Sequence, residues 1–141
     1  MNREIKFKAK HLKSGEWVYG YFVHYYVLDE VNGDYSMKGV FTSVPTIFNN
    51  SPEQRAQENH WRMVDEDTVC QFTGKYHNEI ELYEHDLLVC GEVLCEIVYN
   101  DKIAGFSLLE FDTQQVGSRP LGEMLELFDV NYKGSVFDYF K

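Results

Sequence analysis

The chain has 141 residues, 44% of them hydrophobic and 16% aromatic, the make-up of a folded protein of one domain or two small coupled ones and not of a disordered segment. Its net charge of −10 is uneven: residues 1–62 hold 8 Lys/Arg and 7 Asp/Glu, whereas residues 63–141 hold 5 and 16, nets of +1 and −11. Affinity for phosphates comes from basic side chains that release counterions, so the second part is a poor nucleic-acid surface; a basic partner, or simple solubility, suits it better.

Glu4–Lys10 alternates strictly, with Ile5, Phe7 and Ala9 on one side and Lys6, Lys8 and Lys10 on the other. This predicts a half-buried strand whose lysines face solvent and discourage edge pairing. The same lysines, with Arg3 and Lys13, are alternative phosphate contacts, a reading weakened because no aromatic platform interleaves that segment. Lys13-Ser14-Gly15-Glu16 reads as a turn. Glu16–Leu28 is the strongest strand of the chain, with Trp17, Tyr19, Tyr21, Val23, Tyr25 and Val27 on one face and Val18, Phe22, Tyr26 and Leu28 on the other. Both faces are apolar, which predicts cover on both sides or a partner on one. Gly20 suggests a bulge or a close backbone approach, and His24 a core or boundary histidine. Asn32-Gly33 signals a hairpin returning through Tyr35–Phe41, with Val44–Phe48 extending the sheet past Pro45. Ser51-Pro52-Glu53 has the pattern of a helix start within a polar connection, Asn49–Asn59, and His60–Val64 resumes a strand.

Val69–Val89 reads as strand, hairpin, loop and buried strand. Thr73-Gly74 closes the first strand, Asn78 tolerates left-handed backbone in the reversal, and Leu87–Val89 is apolar. Beyond Gly91, Glu92–Tyr99 alternates with Val93, Cys95 and Ile97 to one side. Asn100–Gly105 is a hairpin loop, Phe106–Phe111 a strand, and Asp112–Arg119 a surface loop. Pro120–Leu127 fits a short helix or a strand. Val130–Tyr132, a Lys133-Gly134 turn and Ser135–Phe140 end the chain with aromatic residues that should pack inward. The fold class expected is mainly β with one or two short helices, in an N-terminal β-rich region of residues 1–62 and a second region of residues 63–141.

Gln71-Phe72-Thr73-Gly74, then Leu82-Tyr83-Glu84-His85-Asp86-Leu87-Leu88, resemble the signature of the YopX-like family of prophage-associated small proteins. Arg3–Ala9 looks like that family's N-terminus, and Phe128–Asn131 with Gly134–Asp138 like its closing segment. The resemblance implies an SH3-like barrel over residues 63–141 and assigns no activity, so Phe72, Thr73, Gly74, Tyr83, Glu84 and Asp86 are expected to be structural. His85 stands where the family usually has Gly. If that position needs φ > 0, a histidine there is strained.

Chemistry-bearing residues are present without the spacing that chemistry needs. Cys70, Cys90 and Cys95 with His77 and His85 contain no Cys-x-x-Cys pair, so no metal site is expected. Ser43, Ser107 and Ser118 lack a nucleophile elbow, and Cys70 with His77 or His85 lacks any supporting signature. Glu79, Glu81, Glu84 and Asp86 cluster as acid–base or hard-cation candidates, but Asp86 is better placed to accept a backbone hydrogen bond at the loop. No Gly-rich phosphate loop exists. No cofactor and no catalytic activity are expected. No 18-residue apolar run exists to span a membrane, and MNREIKFKAK lacks the apolar centre of a signal peptide, so a reduced, cytoplasmic protein is expected. Eleven aromatic residues precede residue 63, more than a small region buries easily. Trp17, Tyr19, Tyr21, Tyr25 and Tyr26 are therefore the candidate interaction face, for a second copy or for a host or phage protein. The runners-up are nucleic-acid association through the basic strand, and an acidic competitor of a DNA-binding protein.

Overall fold

A computed structural model describes residues 5–29, 40–48 and 61–140, leaving aside the side chains of 24–29, 40–44, 48 and 61. The chain divides into two compact units, Lys6–Val69 forming one and Cys70–Lys141 most of the other. Arg3, the Asn32-Gly33 signal and Ser51-Pro52-Glu53 lie outside the described residues, as do the side chains of His24, Tyr25, Tyr26 and Ser43.

The first unit holds β1 (Phe7–Lys10), β2 (Trp17–Asp29), β3 (Val40–Phe48) and β4 (Trp61–Met63), side by side in the order β4-β3-β2-β1 and antiparallel throughout. The turn into β2 depends on Gly15, whose φ of 72° is left-handed, and is closed by the His11 N–H donating to the Glu16 carbonyl at 2.8 Å. Pro45 lies inside β3, where a missing N–H ordinarily costs a ladder bond. Its carbonyl accepts from Val64 N–H at 3.0 Å, so its nitrogen faces the same way, and the long pairing with β2 asks nothing of it. Ala9, Ile47 and Val64 form the buried cluster, flanked by Phe7, Val18, Phe22 and Val69, with the Phe7 and Phe22 rings 6.0 Å apart. Asp65 caps a single 3-10 turn, Glu66–Thr68, by accepting from Asp67 N–H.

Two expectations for this unit are corrected. The lysines of Glu4–Lys10 do not project freely into solvent: Lys6, just before β1, and Lys10 are half-buried and Lys8 is buried at 4% exposure. The Lys8 ammonium lies 4.5 Å from the centre of the Trp17 ring, so an aromatic face replaces water around the charge. Of the two alternatives for β2, cover on both sides within the chain is not what is found, because Tyr19, Tyr21 and Val23 stay exposed. Ile5, grouped with Phe7 and Ala9 by alternation, precedes β1 and is exposed as well.

The second unit begins with the hairpin of β5 (Cys70–His77) and β6 (Ile80–Tyr83). A four-stranded antiparallel sheet of order β10-β7-β8-β9 follows, from β7 (Asp86–Cys90), β8 (Val93–Asn100), β9 (Gly105–Glu110) and β10 (Val130–Ser135). Among the described residues that sheet is open, with no ladder joining β9 to β10. Thr73-Gly74 does not end a strand: β5 runs on to His77, and the register slips between Phe72 and Tyr76, so the glycine, at φ 83°, sits in a bulge. The reversal falls on Asn78 and Glu79, both left-handed at 49° and 68°. Lys133-Gly134 is likewise a bulge within β10 and not a turn.

Pro120–Leu127 resolves into a helix, α1 (Leu121–Leu127), because Leu121, Met124 and Leu125 recur at helical spacing and reach the core. The chain closes with one helical turn, α2 (Val136–Tyr139), capped by the Ser135 hydroxyl accepting from Phe137 N–H at 3.3 Å. Of the closing aromatic residues Phe137 is half-buried, whereas Tyr139 and Phe140 remain largely exposed. Leu82, Leu88, Cys95, Ile97, Phe106 and Leu108 form the middle of the core. The protein is mainly β with short helices.

Candidate interaction face

Residues directly opposite in an antiparallel ladder share a face, which turns the register into a map. Lys8 faces Tyr19 and Lys10 faces Trp17 across β1–β2, while Val23 faces Thr46 and Thr46 faces Met63 across β2–β3–β4. Trp17, Tyr19, Tyr21, Val23, Lys8, Lys10 and Met63 therefore project from one side of this sheet. The cluster of Ala9, Ile47 and Phe22 occupies the other. On the first side Tyr19, Tyr21 and Met63 are 44%, 46% and 46% exposed. The Lys10 ammonium lies 5.2 Å from the Trp17 ring, on the same ring that Lys8 approaches.

Two groups of candidates that the sequence keeps apart, the aromatic residues of β2 and the lysines of β1, are thus one surface. The segment itself carries no interleaved aromatic platform; the neighbouring strand supplies it. Met63 belongs to the same surface, and no local signal marks it, since its place depends on β4 pairing with β3. Arg62 points with Ile47 to the other side, as its register requires.

The loop between β6 and β7 is the second place where polar groups converge. His85 has a left-handed φ of 69°, and three bonds hold it there. Its N–H donates to the Ile97 carbonyl at 2.7 Å, its carbonyl accepts from Val136 N–H at 2.8 Å, and Nδ1 lies 2.6 Å from Glu96 Oε2. Glu84 Oε2 is 4.0 Å from Nε2 on the other side of the ring. The hydrogen bond to Glu96 holds the imidazole pKa above its ordinary value, helped by the charges of Glu84, Glu96 and Asp86 and opposed by burial. Asp86 is fully buried, and its Oδ2 accepts from Tyr83 N–H at 2.9 Å, the bond to loop backbone that its position suggests.

The remaining candidates disperse. Glu81 accepts from the Tyr83 hydroxyl at 3.3 Å, and Glu79 is exposed in the turn. Buried Ser107 uses its hydroxyl on the surface loop, with Oγ 2.6 Å from the Gly117 carbonyl and 2.9 Å from that of Arg119. Cys70, Cys90 and Cys95 are buried free thiols; burial raises the Cys90 pKa and pushes that of Cys95 up to about 12, so neither is a ready nucleophile near neutral pH. Among the described residues no three His, Cys, Asp or Glu side chains gather to hold a metal ion, and no helix is long and apolar enough to cross a membrane. No family model matches the chain, and no curated protein matches it.

Proposed function

We propose that this protein acts by binding another protein, or a second copy of itself, through the exposed face of β1–β4, and carries out no catalysis of its own. The observation that carries the reading is the row Tyr19, Tyr21 and Val23, with Met63 beside it, each 38–46% exposed on the side of the sheet opposite its buried cluster. Apolar and aromatic side chains grouped on a rigid sheet are what interface centres are made of. The resemblance of Gln71–Gly74 and Leu82–Leu88 to the YopX-like signature supports a phage- or prophage-encoded accessory role in the cytoplasm. The return of β10 onto β7 supports an SH3-like barrel for residues 63–141.

The test is a paired variant, Tyr19→Ala with Tyr21→Ala. Its effect is followed by sedimentation for self-association and by capture of partners from lysate with and without nuclease. Both side chains are half-exposed, so the fold is expected to survive while association is lost. Unchanged association with an intact fold overturns the reading.

One observation favours a second reading, binding of single-stranded nucleic acid: Lys8 and Lys10 share a face with Trp17 and Tyr19. Bases stack on such rings while ammonium groups meet phosphates. Lys8 is already buried against the indole, which leaves the strip short of free positive charge and places this reading second. It requires retention on single-stranded DNA or RNA that falls steeply with salt. No retention at low salt excludes it.

A further inference from the structure

A groove of about 830 Å³ opens on the second unit, remote in sequence from the face of β1–β4. Its volume falls within the usual range of ligand sites, about 300–1,000 Å³. Two aromatic pairs line it. Phe72 and Tyr76 of β5 meet edge-on at 5.4 Å, and Tyr99 of β8 meets its ladder partner Phe106 of β9 at 5.6 Å, again edge-on. Glu84, whose Oε2 also lies 4.0 Å from His85 Nε2, lines the same groove. Gly74 and Gly105 also line it, and an added Cβ at Gly74 would meet nothing within 4 Å, so backbone is reachable between the aromatic walls.

From this geometry we infer that the groove binds a polypeptide segment carrying lysine or arginine, the cation seated against the exposed rings of Tyr76 and Tyr99, which the buried Phe72 and Phe106 hold in place, with Glu84 as counter-charge. The faces of aromatic rings attract ammonium and guanidinium groups, and a carboxylate beside them selects the sign of the ligand. The wider field agrees: residues 70–141 hold 5 Lys/Arg against 13 Asp/Glu, a net of −8. Among the described residues Lys75 is the one cationic side chain lining the groove, and it lies along α1, with Cε and Nζ 3.0 and 3.2 Å from where a Cβ on Gly122 would stand. A free small cation would leave most of this volume empty, whereas an extended peptide fills it and meets backbone at Gly74 and Gly105.

The experiment titrates the full chain into a fluorescein-labelled peptide alternating glycine with lysine, and into its glycine–glutamate counterpart, followed by anisotropy. Saturable binding of the basic peptide alone is expected, weakened about three- to tenfold by Glu84→Gln and by Tyr99→Ala. Glu92→Gln, an exposed carboxylate outside the groove, is expected to leave it unchanged, as is the Tyr19/Tyr21 alanine pair, which separates this inference from the face of β1–β4. Amide resonances of Gly74 and Gly105 in the unaltered protein should shift on titration, a readout that does not depend on any variant folding. Absence of binding by the basic peptide, equal binding of the acidic one, or equal weakening by Glu92→Gln and Glu84→Gln overturns the inference.

Discussion

His85 shows how a residue can be wrong for its backbone and still be held. A left-handed φ costs a non-glycine residue about 1–2 kcal/mol, and two backbone hydrogen bonds with the Glu96 contact compel it. Because the folded pKa is raised, the stabilisation from the charged pair is fully present below the unfolded value of about 6.5 and is lost as pH rises through the folded pKa. His85→Gly relieves the strain at every pH but gives up the pair only where it is charged. Its melting temperature relative to the parent is therefore expected to be more favourable at about pH 9 than at about pH 5.5. Parallel melts at the two values check this, and a difference of the opposite sign refutes it. Asp86, the next residue, has no left-handed backbone. Its buried carboxylate satisfies Tyr83 N–H, and Asp86→Ala is expected to cost about 2–3 kcal/mol in urea unfolding, Asp86→Asn less.

Among the elements, the hairpins divide by how well local chemistry suits local geometry. The reversal from β7 to β8 spends two residues between the paired Cys90 and Val93, and Gly91 takes its first position at φ 61°, as a type II′ turn prefers. The reversal from β5 to β6 needs two left-handed residues, and only Asn78 is suited to it. Glu79→Gly creates the Asn-Gly pair that this turn favours and is expected to raise stability by about 0.5–1 kcal/mol. A fall in the unfolding midpoint would show that the Glu79 side chain contributes more than its backbone costs. The bulges at Thr73–Tyr76 and Lys133-Gly134 were not legible, because a Gly after a polar residue reads equally as a turn or as a bulge. Which it becomes depends on whether a partner strand continues past it, and Tyr76 opposite Glu81 and Gly134 opposite Leu87 decide that.

Across the whole molecule the dominant physical asymmetry is charge. Residues 63–141 carry a net of −11, and mutual repulsion among those carboxylates opposes compaction. Raising NaCl from about 0.05 to 0.5 M shortens the screening length severalfold. It is therefore expected to raise the melting temperature of the full chain by a few degrees in differential scanning calorimetry. A lower one would mean that attractive pairs such as His85–Glu96 outweigh the repulsion. The charge is legible from composition alone, as is β-rich character from alternation in Glu16–Leu28 and Glu92–Tyr99, since period-two patterning is local. The candidate face was legible only in halves. The sequence itself names the aromatic residues of β2 and the lysines of β1, because each lies on its own strand. Only pairing places Lys8 against Tyr19, sets Lys8 beneath Trp17, and brings Met63 alongside. The groove of Tyr76, Glu84 and Tyr99 belongs wholly to the tertiary structure, for its walls come from strands and a loop that are separate in the chain and meet only when the strands pair.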